Sequence, residues 1–353
     1  MDINSISILE LSKNDEEVWN KLLLNSINGS YRQSFPHEYS KEAIGRVVET
    51  FVFKINEEII AGGNYSLKLI KGNLLSVADL LSGFVFKNEP DYSVLRVLVD
   101  HFMAWAKKKN ASYLRINPWF PKSVGNSPTS YLKLFDSILN EKGLKIIGEG
   151  RHTYWLDLSL DEDELLSNMK KQTRYDVRKG IKSELEVKRF DQQTDNITRD
   201  FWNLYRNLGN EKDFEILSES RFFHFVNSLL DSKLASLFFI YYNKKIINIS
   251  ICSKFGQASY IYGAINPYFK ELNCTSPGPL AQWEMIKFAK QSGAKIYDVG
   301  FCPGPIPIKT HPQYSIWRFK YGFGGDHVEF LPTYGKILKP IRGKLFEFLK
   351  YSK

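Results

Sequence analysis

Apolar residues recur at helical spacing over 91–110 and again over 280–292. Each run is followed by a small polar turn and a short apolar strand, 112–116 and 295–299. The two stretches read FMAWAKKKNASYLRIN (102–117) and MIKFAKQSGAKIYDVG (285–300). Trp105 aligns with Phe288, Ala106 with Ala289, Lys107 with Lys290, Ala111 with Ala294 and Ile116 with Val299, all at one constant offset. Upstream of each copy, Phe53–Ala61 and Tyr241–Asn248 both read as strand, tight turn with Asn, strand. Each half therefore runs hairpin, further strands, helix, strand. A period this long describes two copies of one domain rather than a solenoid.

The remaining pattern predicts helices at 14–28, 128–142, 195–209 and 218–231. A long basic helix is expected at 161–183 and a final helix at 337–351. Further strands are expected at 62–70, 74–81, 144–158, 235–242, 246–254 and 257–265. The segments 117–130, 266–279 and 302–312 are rich in Pro, Gly, Asn or Ser and read as loops. Neither half sustains a heptad pattern, so no coiled-coil arm is expected. Meandering strands followed by alternating helix and strand give an α/β (α+β) chain with mixed sheets flanked by helices. The domains are read as 1–150, completed by 326–353, and 151–325.

A length of 353 residues with 43% apolar and 14% aromatic content is enough for two ordinary cores and argues against disorder. No run reaches the ~18–20 apolar residues of a membrane span. The acidic start MDINSISILELSKNDEE is unlike a secretory signal. Three scattered cysteines, Cys252, Cys274 and Cys302, form no zinc-like spacing and suit a reducing cytoplasm. No metal and no cofactor is expected. The net charge of +9 favours anionic partners: nucleic acid, nucleotide-linked substrates or an anionic membrane surface.

Candidate chemistry concentrates in four places. On the basic helix, Lys171, Arg174, Arg178 and Lys182, with Lys179 beside them, form a cationic face opposite Leu165, Met169, Val177 and Ile181. That face suits phosphates; the plain alternative is a solvated surface. The run Ile316–Gly325 sets Lys320 among aromatic residues in what reads as a strand, next to Phe319 and ahead of a Gly-Phe-Gly-Gly turn. A cation there can meet developing negative charge; otherwise it points to solvent from a hairpin. Tyr262-Gly263-Ala264 and the helix carrying Trp283 flank a strand–loop–helix junction suited to an acyl donor. Its loop, Thr275-Ser276-Pro277-Gly278-Pro279, lacks the glycine-rich turn that cradles the pyrophosphate of coenzyme A, because proline has no amide to donate. Asp298, at the end of a strand, can orient a substrate amine or serve the core. The C-terminal stretch sets Ile337, Leu338, Ile341, Leu345, Phe348 and Leu349 against Lys336, Lys339, Arg342, Lys344 and Lys350. That is the pattern of an amphipathic helix at an anionic membrane, or of one packed on the first domain.

Taken together, DLSLDEDELLSNMKKQTRYDVRKGIKSELEV (157–187), YGAINP (262–267), LAQWEMIKFAKQSGAKIYDVG (280–300) and FKYGFGG (319–325) resemble the Fem family. These are the aminoacyl-tRNA-dependent transferases that build peptidoglycan cross-bridges. The resemblance covers most of 150–335. It extends more weakly to Gln33-Ser34 followed by Lys41, and to Leu114-Arg115-Ile116-Asn117-Pro118. It implies two tandem GNAT-like acyltransferase domains and an amide-forming reaction on an ester of tRNA. It implies that Lys320 stabilises the oxyanion, that Lys41 holds substrate phosphates, and that Arg174 and Arg178 meet tRNA. Substrate contacts fall on Tyr262, Trp283, Phe319 and Asn117, where relatives often carry Asp. The expected partners are aminoacyl-tRNA and a nucleotide- or lipid-linked cell-wall precursor, in the cytoplasm or at the inner face of the membrane through 336–351. Two rivals stand beside this reading. One is a GNAT-like enzyme acylating an amino sugar from acyl-CoA or another thioester; the other is a non-catalytic binder of RNA or membrane surfaces.

Overall fold

The computed structural model describes residues 6–70, 74–212, 216–271, 274–304 and 307–351. The chain divides into two compact units, one of residues 1–151 with 329–353 and one of residues 152–328.

The first unit contains β1 (Ser7–Leu11), α1 (Glu16–Leu24), α2 (Phe35–Tyr39), β2 (Val47–Ile55), β3 (Glu58–Ile70), β4 (Leu75–Leu81) and β5 (Val85–Phe86). It continues with α3 (Tyr92–Lys108), β6 (Tyr113–Asn117), β7 (Pro121–Val124), β8 (Ser127–Pro128), α4 (Tyr131–Glu141) and β9 (Lys145–Gly148). The second unit holds β10 (His152–Asp157), α5 (Glu162–Asn168), α6 (Lys171–Ile181), β11 (Glu186–Phe190), α7 (Asp195–Lys212), α8 (Glu219–Asp231) and β12 (Ala235–Tyr242). There follow β13 (Lys245–Ser253), β14 (Gln257–Ile265), α9 (Pro277–Gln291), β15 (Ile296–Asp298) and α10 (Tyr314–Tyr321). The chain returns through β16 (Asp326–Phe330), then β17 (Thr333–Ile337) and α11 (Pro340–Tyr351).

The repeat seen in the sequence is a repeat of topology. In the first unit β2–β3–β4 run antiparallel and β4 pairs in parallel with β6 after α3. In the second, β12–β13–β14 run antiparallel and β14 pairs in parallel with β15 after α9. Both hairpins close on two residues with left-handed backbone, Asn56–Glu57 (φ 48° and 65°) and Asn243–Lys244 (φ 49° and 62°). Such turns match strand twist and favour Asn. Both hairpins also carry a bulge near the turn, at Phe53/Lys54 and at Ile240/Tyr241.

The first sheet runs β1-β2-β3-β4-β6-β17-β9, so the C-terminal strand β17 lies between β6 and β9. α3 and α4 cover it with Leu95, Leu98, Phe102, Trp105, Phe135 and Ile138. The strands of the second unit run β11-β12-β13-β14-β15-β10-β16. α9 is apolar nearly all round because it is buried along most of its length against that sheet and α6.

Three details differ from the sequence reading. The basic stretch is two helices, since Met169 and Lys170 adopt extended ψ values of 148° and 145°. α6 buries Val177 and Gly180, and Ile181 is 51% exposed rather than packed. Gly180 lies against Leu280, where a Cβ would meet the Leu280 Cβ at 3.0 Å. The aromatic run 314–321 is a helix, α10, not a strand. The C-terminal stretch splits into β17, which takes Ile337, and α11, which begins at Pro340. Leu338 packs against the first core. Ile341 is 87% exposed and Phe346 stacks on Tyr113, while the side chains of Phe348, Leu349 and Lys350 lie outside the described residues.

A buried charge network lies within the first unit. Lys41 donates to Glu38 Oε1 at 2.5 Å and His37 Nδ1 lies 3.1 Å from the same oxygen, with Lys41 and Glu38 almost fully buried. Asp79, wholly buried, is bound by Arg46 (2.8 Å) and, through both carboxylate oxygens, by Arg115 (2.7 and 2.9 Å). Burial is the largest influence on the Lys41 ammonium and pulls its pKa down. Burial pushes Glu38 up, but Lys41 and His37 outweigh it and its pKa is lowered. Burial holds the His37 imidazole down to about 4.

Two predictions follow from this architecture. Deleting residues 332–353 removes β17 from between β6 and β9. Calorimetry is expected to show loss of the first unit's cooperative melting while the second unit's transition persists; unchanged melting would refute this. The second prediction concerns acid. Unfolded His37 takes up a proton below pH 6.5, and folded His37 only near pH 4. The unfolded state binds more protons between those values, so stability falls as pH drops through that window, by at most about 3.4 kcal/mol. His37→Gln should flatten this loss, read as the thermal midpoint at pH 7 against pH 4.5.

Candidate active site

The candidate site of the second unit forms where β15 ends. Asp298 is 4% exposed, and its Oδ1 accepts from the Gly300 amide at 2.7 Å. The Thr153 hydroxyl lies 2.5 Å from the same Asp298 oxygen and 2.9 Å from the Gly300 carbonyl. The carboxylate thus holds a tight turn whose pivot, Gly300, has φ +83°, a left-handed conformation that suits glycine. The lack of a side chain at Gly300 also makes room for Lys320, because a Cβ there would stand 2.9 Å from the lysine Nζ.

Lys320 comes from the last turn of α10 and is 9% exposed. Its Nζ donates to the Phe301 carbonyl at 2.7 Å and lies 5.5 Å from the Tyr260 ring centroid. Helical spacing explains the burial. Trp317, Lys320 and Tyr321 share one face; Trp317 stacks on Tyr321 at 4.9 Å and donates from its indole to the Tyr154 hydroxyl at 3.1 Å. Past α10, Gly324 and Gly325 (φ +80° and +79°) let the backbone close on Asn168 and Trp155, where a Cβ would meet their carbonyl oxygens at 2.5 and 2.3 Å. Burial pushes the Cys302 thiol up to about 11, with Lys320 pulling it down and Asp298 raising it. A thiol so disposed is protonated at neutral pH and is not an activated nucleophile.

Two hollows lie against Phe319, the neighbour of Lys320; among the described residues Lys320 itself is in the wall of neither. A cavity of about 280 Å³ is lined by residues of β13, β14 and α9, among them Asn248, Ser250, Tyr260, Gly263, Gln282 and Phe319. A wider pocket of about 560 Å³ opens between the start of α6 and α10, with Lys170, Thr173, Arg318 and Phe319 in its wall. Phe319 belongs to both. Among the described residues, no group of three or more His, Cys, Asp or Glu side chains could hold a metal ion.

The structure thus brings Lys320, Asp298 and Phe319 into one neighbourhood. Trp283, 2% exposed, is a core residue and lines neither hollow. Tyr262 packs on Tyr205 (5.4 Å) and Phe225 (6.1 Å). On and beside α6, Lys171, Arg178, Lys179 and Lys182 are exposed, while Arg174 is partly buried and donates to the Ser167 carbonyl at 2.8 Å. Lys170 sits over the Tyr321 ring at 4.5 Å. Lys41 and Asn117 belong to the first unit. Lys41 is committed to Glu38, and Asn117 donates to the Thr333 hydroxyl at 3.1 Å. Sequence reasoning missed Thr153, Tyr260, Gln282 and Arg318. Of these, only Arg318 carried a signal, since it lies beside Phe319 and Lys320.

Comparison with known proteins agrees with the fold. A family model described as an acetyltransferase (GNAT) domain matches residues 167–305. A segment of 94 residues is 31% identical to the lipid II:glycine glycyltransferase of Staphylococcus haemolyticus (strain JCSC1435), covering 27% of this chain and 22% of that protein. The fold is similar to the crystal structure of FemX, with a TM-score of 0.79 at 18% identity over 98% of this chain and 100% of that one. It is also similar to a tandem GNAT protein from the clavulanic acid biosynthesis pathway, with a TM-score of 0.51 at 11% identity over 94% and 98% of the two chains. The repeated strand–helix–strand core, the match of residues 167–305 to an acetyltransferase (GNAT) domain and the likeness to FemX lead to one conclusion: the chain folds as two tandem GNAT-like domains, arranged in sequence as in FemX.

Proposed function

We propose that this acyltransferase forms an amide by moving an aminoacyl group from tRNA to an amine of a peptidoglycan precursor. The observation that carries the reading is Lys320, a cation removed from bulk water beside a turn made by Asp298 and Gly300. The acceptor nitrogen attacks the ester carbonyl carbon. The carbonyl oxygen gains negative charge and Lys320 meets it in a nearly dry setting, where a fixed charge counts for most. The C–O bond then breaks, the tRNA 3′ oxygen takes a proton, and the nitrogen gives one up to solvent or to a substrate group. Asp298 acts as a positioning residue, because its Oδ1 is engaged by the turn.

The start of α9 supports tRNA over coenzyme A as donor. Its first three residues are Pro277, Gly278 and Pro279, so two of the amides that would cradle a pyrophosphate do not exist. The exposed cations of α6 supply a surface for RNA phosphates; Lys41, buried and paired with Glu38, is left out of the proposed phosphate contacts. The shared segment with a lipid II glycyltransferase supports a nucleotide- or lipid-linked cell-wall acceptor. No helix among the described residues is long and apolar enough to cross a membrane. The exposed Ile341 beside Arg342 and Lys344 supports a peripheral contact of α11 with the inner face of the membrane.

The test supplies the purified chain with labelled aminoacyl-tRNA and either UDP-linked or lipid-linked muramyl-peptide precursor, with acetyl-CoA as a separate arm. A precursor gaining one amide-linked aminoacyl group is expected. Acetyl transfer, or micromolar binding of acetyl-CoA by calorimetry, would overturn the reading. Lys320→Met should lower turnover by about 10²–10³-fold, the usual effect of losing one oxyanion donor, with the fold intact. Replacing Arg174 and Arg178 by Ala should weaken RNA binding and flatten its salt dependence by about one logarithmic unit per lost phosphate contact. An unchanged slope would return α6 to a solvated face.

A further inference from the structure

The cavity beside Lys320 has a polar end that nothing in the fold uses. The Gln282 side-chain carbonyl accepts from the buried Tyr297 hydroxyl at 2.7 Å, which fixes the amide and turns its NH2 to the cavity. Gln282 is 4% exposed, and its amide nitrogen has no partner among the described residues. The Tyr260 hydroxyl likewise has none, and burial raises its pKa, so it stays a neutral donor. Space above that hydroxyl exists because residue 263 is glycine: a Cβ there would meet Tyr260 Oη at 2.5 Å and Ser250 Oγ at 2.7 Å. Ser250 is already spent on Asn248 Oδ1 at 3.1 Å. Both groups line the cavity, where a ligand or water can accept from them. The walls of the cavity, including Ile265 and Ala281, are apolar.

The cavity is tied to the reacting group. The Tyr260 ring carries the Lys320 ammonium near it at 5.5 Å and presents its hydroxyl to the cavity, and Phe319, the neighbour of Lys320, forms part of the wall. An acyl group with its carbonyl at Lys320 would run along this ring. We propose that the cavity is the subsite for the variable part of the transferred acyl group, and that it takes a side chain larger than glycyl with a hydrogen-bond acceptor near its tip, read by Gln282 and Tyr260. This rests on the acyl-transfer reading at Lys320. The volume of about 280 Å³ sets the size, since a cavity of roughly 150 Å³ already holds benzene. A glycyl group would leave most of it empty and both donors unpaired.

The test measures binding of glycine, leucine and glutamine methyl esters to the full chain by calorimetry, without any transfer step. Glutamine methyl ester is expected to bind at least about tenfold tighter than the glycine ester and several-fold tighter than the leucine ester, the scale of one satisfied buried donor. Ala281→Leu fills the cavity and should abolish that binding with no fall in thermal midpoint. Gln282→Met keeps the volume and should erase the preference for glutamine over leucine while retaining the preference of both over glycine. Equal affinity across the panel, no binding of any ester, or wild-type binding by Ala281→Leu would overturn the proposal. Ester selectivity without aminoacyl transfer from tRNA would overturn the proposed function and leave the subsite standing. Transfer by a chain that does not discriminate among the esters would do the reverse.

Discussion

An ammonium ion in a nearly dry place is the constraint around which the second unit is arranged. Removing a charge from water is costly, and the cost is bearable only where oriented dipoles replace the lost solvent. Lys320 finds the Phe301 carbonyl at 2.7 Å and the Tyr260 ring nearby. To reach them it needs a backbone with no side chain in its path, which Gly300 supplies. Gly300 in turn needs its left-handed turn held, and Asp298 and Thr153 hold it. α10 must bring the lysine in at the right height, which the Trp317–Tyr321 stack and the close passage of Gly324 and Gly325 secure. Each of these residues is explained by what the next one requires.

Both units hold cations out of bulk water. The first compensates its cations with carboxylates: Glu38 for Lys41, Asp79 for Arg46 and Arg115. Such sets are specific in geometry, and breaking one partner is costly because it strands the other. In the second, the Lys320 ammonium donates to the Phe301 carbonyl and lies near the Tyr260 ring.

α9 joins the fold to the chemistry. It is a core helix, with Trp283, Met285, Ile286 and Ala289 buried in the second core. It also carries Gln282, which a single bond from Tyr297 turns toward the cavity. Two of the three residues that open its first turn, Pro277 and Pro279, have no amide to donate. One helix thereby supports the sheet and shapes a pocket.

Local pattern determined much of this protein. The repeated helix and strand, the Asn-containing hairpin turns and the mixed α/β character were legible, because hydrophobic period and turn chemistry act within a few residues. The run from Ile316 was misread as a strand from its aromatic content, although Trp317, Lys320 and Tyr321, all within the helix Tyr314–Tyr321, already stood at helical spacing. Packing of that face, not intrinsic preference, decided it. The break at Met169–Lys170 was hidden by a continuous run of helix-forming residues. Lys320 and Asp298 could be singled out in the sequence as chemically able residues. Their burial, the turn at Gly300 and the roles of Thr153, Tyr260 and Gln282 could not. Thr153 meets Asp298 across 145 residues, and Arg46 and Arg115 meet Asp79 across 33 and 36. No periodicity along a chain encodes such meetings. They exist only once two sheets have formed and brought distant strands into register, and it is there that a lysine in a sequence becomes a cation in a dry site.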